Sequence, residues 1–182
     1  AIFAAIRLRE RQQLDHGRIR SIEILTHPRR LPHTNQPCPH TSLESKFSIQ
    51  YCVARALVDG QITLADFENA AWEQTNITRL LSITQVGEHS DMVKLESGTF
   101  GAQVNITLEN NEQISERIDH GGGRGPDNPM TDSERRNKFV DCASRTLPNA
   151  QVSRLFDTLE QLERVHSISK LVELARAESN EN

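Results

Sequence analysis

The chain has 182 residues, 36% of them hydrophobic and 25% charged, with six Phe, one Tyr and one Trp; this is one ordinary domain or a little more, able to bury a core. A net charge of −4 without a basic stripe argues against a nucleic-acid partner. No apolar run nears the roughly 20 residues that cross a bilayer, no leader precedes a cleavage site, and three widely spaced cysteines make no disulfide framework or zinc signature, a combination that reads as cytoplasmic and off the membrane.

Ala1 to Leu8 has the apolar spacing of a helix already under way, with no capping residue before it, so the chain reads as a piece of a larger protein. Gly17 breaks that pattern, and Arg18 to Thr26 alternates apolar and polar residues as a half-buried strand does. Residues 28 to 42 hold four prolines and two histidines, with His27 just before them, which predicts a long irregular loop with no helix. Ser45 to Val58 reads as one buried helix, with Ser42 or Ser45 to cap it and Gly60 to stop it. Thr63 to Phe67 and Asn76 to Leu81 are brief helical connectors. Ser82 to Val86, Met92 to Glu96, Ala102 to Leu108 and Gln113 to Ile118 read as strands, the last two forming a hairpin across Glu109 to Glu112. The run Gly121 to Pro129 is a loop, and Thr131-Asp132-Ser133-Glu134 has the form of a capping box that opens helices to about residue 177. The order describes an α+β arrangement, a small, mostly antiparallel sheet packed on helices, with a boundary near residue 130.

Little of this carries chemistry by itself. His27, His33 and His40 lack the pairing and nearby carboxylates that fix a metal, and the Gly121 to Gly125 run with Arg124 lacks a nucleotide-loop spacing, so neither a metal nor a cofactor is expected. The sequons at Asn76 and Asn105 carry no meaning in a cytosolic chain. Cys52 and Cys142 fall on apolar helix faces, where a thiol is an inert small hydrophobe. Tyr51, the one tyrosine, either donates a structural hydrogen bond or contacts a ligand oxygen.

The stretch Pro39 to Gly60 joins a proline-led loop, Lys46-Phe47-Ser48-Ile49-Gln50-Tyr51, and an Ala-rich helix ending Leu57-Val58-Asp59-Gly60. It resembles the signature of the MmgE/PrpD family, which groups 2-methylcitrate dehydratase with cis-aconitate decarboxylase. Ile19 to Thr26, Asn105 to Ile118 and Gly125 to Phe139 agree with the same family in order. The resemblance implies a lid domain over residues 1–130, followed by helices at 131–182 that return to a large all-helical domain missing here. Those helices would expose apolar faces, which implies a homodimer or poor order.

By the same resemblance the activity is lyase chemistry on small polycarboxylic acids, 2-methylcitrate of propionate catabolism first among them, by proton abstraction next to a carboxylate and without metal or cofactor. The catalytic acid and base belong upstream of Ala1, so the isolated chain would be inactive. Tyr51 matches the motif tyrosine at the substrate cleft; Lys46 and Ser48 are adjacent motif positions, and Arg124 is a further substrate-binding candidate. The alternatives are a family isomerase or decarboxylase, or a stand-alone binding or dimerisation module.

Overall fold

The computed structural model describes residues 1–92, 101–121 and 128–176, and the chain divides into two compact units, Ala1–Asn128 and Pro129–Asn182. In the first unit, α1 (Ile2–Gln12) buries Ala4, Ala5 and Leu8, three residues within one turn of a common face. It ends at Gln13, which adopts a left-handed φ of 47° and donates its N–H to the last carbonyls, so the helix stops before Gly17. Gly17 instead sits in a 3-10 turn whose first N–H is accepted by the Asp15 carboxylate at 2.8 Å. From that turn β1 (Ile19–Thr26) emerges.

The proline-rich stretch is more ordered than its composition predicts. A 3-10 turn at Pro28–Arg30 leads into a one-turn helix, α2 (Leu31–Thr34). Pro32 lies in that helix's first turn, where a missing N–H costs nothing. The buried helix predicted over Ser45 to Val58 is two helices, α3 (Ser42–Lys46) and α4 (Ile49–Asp59). Ser48 separates them because its hydroxyl accepts the Tyr51 N–H at 3.0 Å, which restarts the helix as an N-cap does. Short 3-10 turns at Leu64–Phe67 and Ala71–Glu73 connect α4 to α5 (Thr75–Ser82).

Next come β2 (Thr84–Glu88), β3 (Ala102–Leu108) and β4 (Gln113–Ile118). The strand predicted from Ser82 starts at Thr84, because Ser82 closes α5; the one predicted over Met92 to Glu96 lies, past Met92, outside the described residues. Among the described residues four strands form one sheet in the order β2-β1-β3-β4. β1 pairs in parallel with β2, from Ile22 opposite Thr84 to Thr26 opposite Glu88, and α2 to α5 make the crossover such a pairing needs. β1 and β3 are antiparallel, Ile24 opposite Val104, as are β3 and β4, Asn105 opposite Ser115. The unit is α+β with a mixed sheet.

Strand alternation divides the sheet's faces. Ile22 and Ile24 of β1 with Val104 and Ile106 of β3 join one core with Leu8 of α1, Val53 and Leu57 of α4, and Ile77 and Leu80 of α5. Glu23, Gln85, Asn105 and Ser115 lie on the opposite, polar face, along an open groove of about 660 Å³. The core side therefore fixes α4 against the sheet, and the Lys-Phe-Ser-x-x-Tyr segment runs from the end of α3 into the first turn of α4.

The second unit begins with α6 (Asp132–Ala143), opened by the predicted capping box: Thr131 Oγ1 accepts the Glu134 N–H at 3.2 Å, and the Glu134 carboxylate accepts the Thr131 N–H at 2.8 Å. α7 (Asn149–Leu159) and α8 (Ile168–Leu174) follow. Leu147, Val152 and Leu155 form a small core with Phe139, Leu159 and Leu171 packed on it. That core is too small to bury any residue of α6, and Cys142 is exposed, which corrects its reading as an inert apolar-face thiol. Leu162, Ile168 and Val172 are exposed as well. Among the described residues no helix is long and apolar enough to cross a membrane.

The cysteines divide accordingly. Cys52 is buried, its Sγ 3.8 Å from the Ser45 carbonyl oxygen, and burial pushes its thiol up to about 11; Cys38 is exposed like Cys142. Since the thiolate is the nucleophile, iodoacetamide at pH 8 is expected to label Cys38 and Cys142 in the folded chain and Cys52 only after denaturation. Peptide mass spectrometry reads this directly, and rapid labelling of Cys52 in the folded chain would contradict its burial.

Candidate functional site

The junction between α3 and α4 is built from side chains that cap backbone. Thr41 caps α3 by accepting the Glu44 N–H at 3.1 Å, and the Glu44 carboxylate reaches back to the His40 N–H at 2.6 Å. Ser48 has two roles: besides capping α4, its hydroxyl donates to the Gln36 carbonyl at 2.6 Å. Two residues on, Gln50 donates its side-chain amide to Asn35 at 2.6 Å. Asn35 and Gln36 of the proline-rich segment are therefore tied to the first turn of α4. Gly60 ends α4 with φ 75°, and a Cβ there would stand 2.7 Å from the Arg9 guanidinium, so the Leu-x-Asp-Gly ending meets both a left-handed cap and a close neighbour.

Tyr51 has no exposed surface. Its hydroxyl donates to the Asp66 main-chain carbonyl, and its ring lies 5.8 Å from that of Phe67 at a tilt of 60°, a favourable aromatic pairing. Below it runs a charged cluster that the sequence reading did not single out. The Arg55 guanidinium is 2.7 Å from each of the Asp59 and Asp66 carboxylates and donates to the Gln74 side chain at 2.7 Å. Asp66 also accepts the Thr63 N–H at 2.6 Å and the Thr63 hydroxyl at 3.1 Å. Two spacings could have revealed the cluster: Arg55 and Asp59 are four apart on one helix, and Thr63-x-x-Asp66 is a capping box.

Of the four residues expected at the site, the structure brings three together. Ser48 and Tyr51 share a hydrogen bond, and Lys46, which is exposed, holds its Nζ 5.9 Å from the centre of the Phe67 ring, within cation–π reach. Phe67 thus links Lys46 to Tyr51. Arg124 lies outside the described residues. The three differ in what they offer a ligand: Lys46 presents an ammonium to solvent, Ser48 has both hydrogen bonds committed to backbone, and Tyr51 has its one proton committed to a carbonyl. A shallow groove of about 250 Å³ lies beside the junction, lined by residues including His33, Asn35, Leu43 and Phe47. His27 Nδ1 accepts the Arg29 N–H at 3.1 Å, and among the described residues no group of three or more His, Cys, Asp or Glu could hold a metal ion.

Burial pushes the Tyr51 phenol up to about 12, opposed by the nearby Arg55 guanidinium and reinforced by Asp66. The sign of the linkage follows. Between pH 10 and 12 the unfolded chain loses the phenolic proton while the folded chain keeps it, so the associated stability is present below pH 10 and is lost as pH rises toward 12. With one tyrosine in the chain, phenolate absorbance is expected to titrate near pH 12 when folded and near 10 in denaturant. A folded midpoint of 10 would contradict the buried Tyr51–Asp66 bond.

The MmgE/PrpD C-terminal domain family matches residues 1–164. Cis-aconitate decarboxylase of Mus musculus is 29% identical over 147 residues, covering 81% of this chain and 30% of that protein. The Homo sapiens cis-aconitate decarboxylase is 24% identical with the same coverage. The cis-aconitate decarboxylase-like protein oryM of Aspergillus oryzae is 26% identical over 140 residues, 77% of this chain and 28% of that protein. The chain thus spans about 30% of the length of the curated relatives it matches. With the Lys-Phe-Ser-x-x-Tyr junction built as described and the match running across nearly all of the sequence, the chain belongs to the MmgE/PrpD family, of which it carries the C-terminal domain.

Proposed function

We propose that this chain is the C-terminal part of a lyase that acts on a small polycarboxylic acid by proton transfer at a carbon next to a carboxylate. The observation that carries the reading is the family match over residues 1–164, supported by relatives whose names state cis-aconitate decarboxylase. In this reading residues 1–130 cover a substrate cleft and residues 131–182 return to a large helical domain encoded upstream. That domain supplies the catalytic acid and base. Lys46 is suited to a substrate carboxylate because an ammonium is a compact point charge on a flexible stem. Ser48 fixes the start of α4 beside it. Tyr51 contributes a hydrogen bond to substrate only by giving up the Asp66 carbonyl.

Two substrates separate the reactions within this reading. Decarboxylation of cis-aconitate breaks a C–C bond to carbon dioxide, and the electron pair passes through the double bond to a carbon next to a remaining carboxylate, which takes up a proton. Dehydration of 2-methylcitrate removes a proton next to a carboxylate and expels the hydroxyl as water. Both need an acid–base group and stabilisation of carboxylate-borne negative charge. The test supplies each substrate to the polypeptide that contains this chain and its upstream domain, with carbon dioxide and the dehydrated acid as readouts. Turnover of either one, with none by the isolated chain, is expected; turnover of neither would overturn the lyase reading. The exposed Leu162, Ile168 and Val172 favour a second reading, a non-catalytic dimerisation module. Concentration-dependent dimerisation without turnover by the longer polypeptide is its expected signature.

A further inference from the structure

Directly after β2, a histidine outside the motif has both ring nitrogens engaged. His89 follows β2 directly and is buried. Its backbone N–H donates to the Thr26 carbonyl at 3.0 Å, and its Nδ1 accepts the Asp91 backbone N–H at 3.2 Å. An acceptor at Nδ1 places the ring proton on Nε2, which is 3.0 Å from the Gln103 side-chain oxygen. The direction then propagates across the polar face. Gln103 donates its amide to Asn105 at 2.8 Å, and Asn105 donates to the Glu23 carboxylate at 2.7 Å. Every donor in this relay meets an acceptor only if the imidazole is neutral and bears its proton on Nε2.

We propose that His89 is a pH-sensitive latch that holds the backbone at Asp91 against β3 when neutral and releases it when protonated. A second proton can enter only at Nδ1, where it would face the Asp91 N–H, donor against donor. The Nε2 side is undisturbed, since Nε2 donates in both states, so the relay to Glu23 persists and the change is confined to Asp91. The titratable and charged side chains that meet there are Glu88 and Asp91, next to His89 in the chain, His27 after Thr26, Glu23 at the end of the relay, and Arg117 of β4 with Asp119 just after that strand; β3 brings the neutral Gln103 and Asn105. Arg117 holds the Asp91 carboxylate at 3.3 Å and the Asp119 carboxylate at 2.8 Å. It therefore keeps a partner when the Asp91 carboxylate turns to the new Nδ1–H, exchanging a neutral backbone bond for a charge-assisted one. Histidine is the side chain whose ordinary charge change falls between about pH 5 and 8, so the experiment spans that interval.

Amide hydrogen exchange of the chain by NMR tests this, with rates corrected for the intrinsic pH dependence of exchange. Protection of the Asp91 amide is expected to fall about tenfold or more between pH 7.5 and 5.5, through the histidine range. In His89→Asn, whose side-chain oxygen replaces the Nδ1 acceptor and does not titrate, it is expected to stay constant. Constant protection in the unmodified chain, or an equal fall in His89→Asn, would overturn the proposal. Should His89→Asn fail to fold, the imidazole nitrogen spectrum of the unmodified chain at pH 8 decides: a proton on Nε2 is required, and a proton on Nδ1 overturns it.

Discussion

Asp66→Ala is expected to lower the unfolding free energy of the first unit by about 3 kcal/mol, the lower end of what breaking a buried ion pair costs. Asp66 ties its own turn to α4 through three residues: its carboxylate bonds Arg55 and Thr63, and its carbonyl accepts the Tyr51 hydroxyl. Removing the carboxylate leaves Arg55 buried with Asp59 and Gln74 as remaining partners, and this retained neighbour keeps the loss from being larger. Asp66→Asn is expected to cost less, because an amide oxygen still accepts from Thr63. Urea unfolding followed by Trp72 fluorescence measures both variants, since the chain's one tryptophan lies in this unit. A change below about 1 kcal/mol for Asp66→Ala, the scale of an exposed pair, would show the cluster to be solvated and not a tie between α4 and the turn at Leu64–Phe67.

Gly101→Ala is expected to cost a similar amount, about 3 kcal/mol, by overpacking. An added Cβ would stand 2.3 Å from the Ile118 carbonyl oxygen and 2.8 Å from the Asp119 Cα. Both are backbone, so relief requires β3 and β4 to separate at that end. The same movement would disturb the Gly101 carbonyl, which accepts the Thr26 hydroxyl at 2.9 Å in a buried setting. The urea midpoint and the backbone shifts of Thr26 and Ile118 report this together; unchanged stability with unchanged shifts would contradict the close approach of the strands.

How much of this was legible in the sequence depends on the kind of interaction involved. The β3–β4 hairpin was readable to the residue because strict alternation in Ala102–Leu108 matches a half-buried strand, and the Thr131–Glu134 box was readable because capping is local. The division of α3 from α4 was not, since Ser48 continues a helical apolar pattern and breaks it only by taking the Tyr51 N–H. Nor was the end of α1, where Gln13 adopts a backbone conformation usually left to glycine. At the site, the resemblance singled out Lys46, Ser48, Tyr51 and Arg124; the fold sets Lys46 and Tyr51 against Phe67 and ties Ser48 to the Tyr51 N–H, while Arg124 lies outside the described residues. Arg55 and Asp66 escaped notice because their partnership spans eleven positions and two elements, and no local periodicity encodes it. The exposure of Cys142 depended on how small the second unit's core is, a property of three-dimensional packing.

Proton transfer at a carbon next to a carboxylate is tested most directly by turnover in deuterium oxide by the polypeptide containing this chain and its upstream domain. With cis-aconitate as substrate, mass spectrometry of the decarboxylated product is expected to show one solvent deuterium bound to carbon. With 2-methylcitrate, whose dehydration takes a proton from carbon and returns none, the substrate re-formed by the reverse hydration is expected to carry solvent deuterium at the carbon that lost its proton. No turnover of either acid, or decarboxylation of cis-aconitate without carbon-bound deuterium from solvent, would contradict the proton-transfer reading.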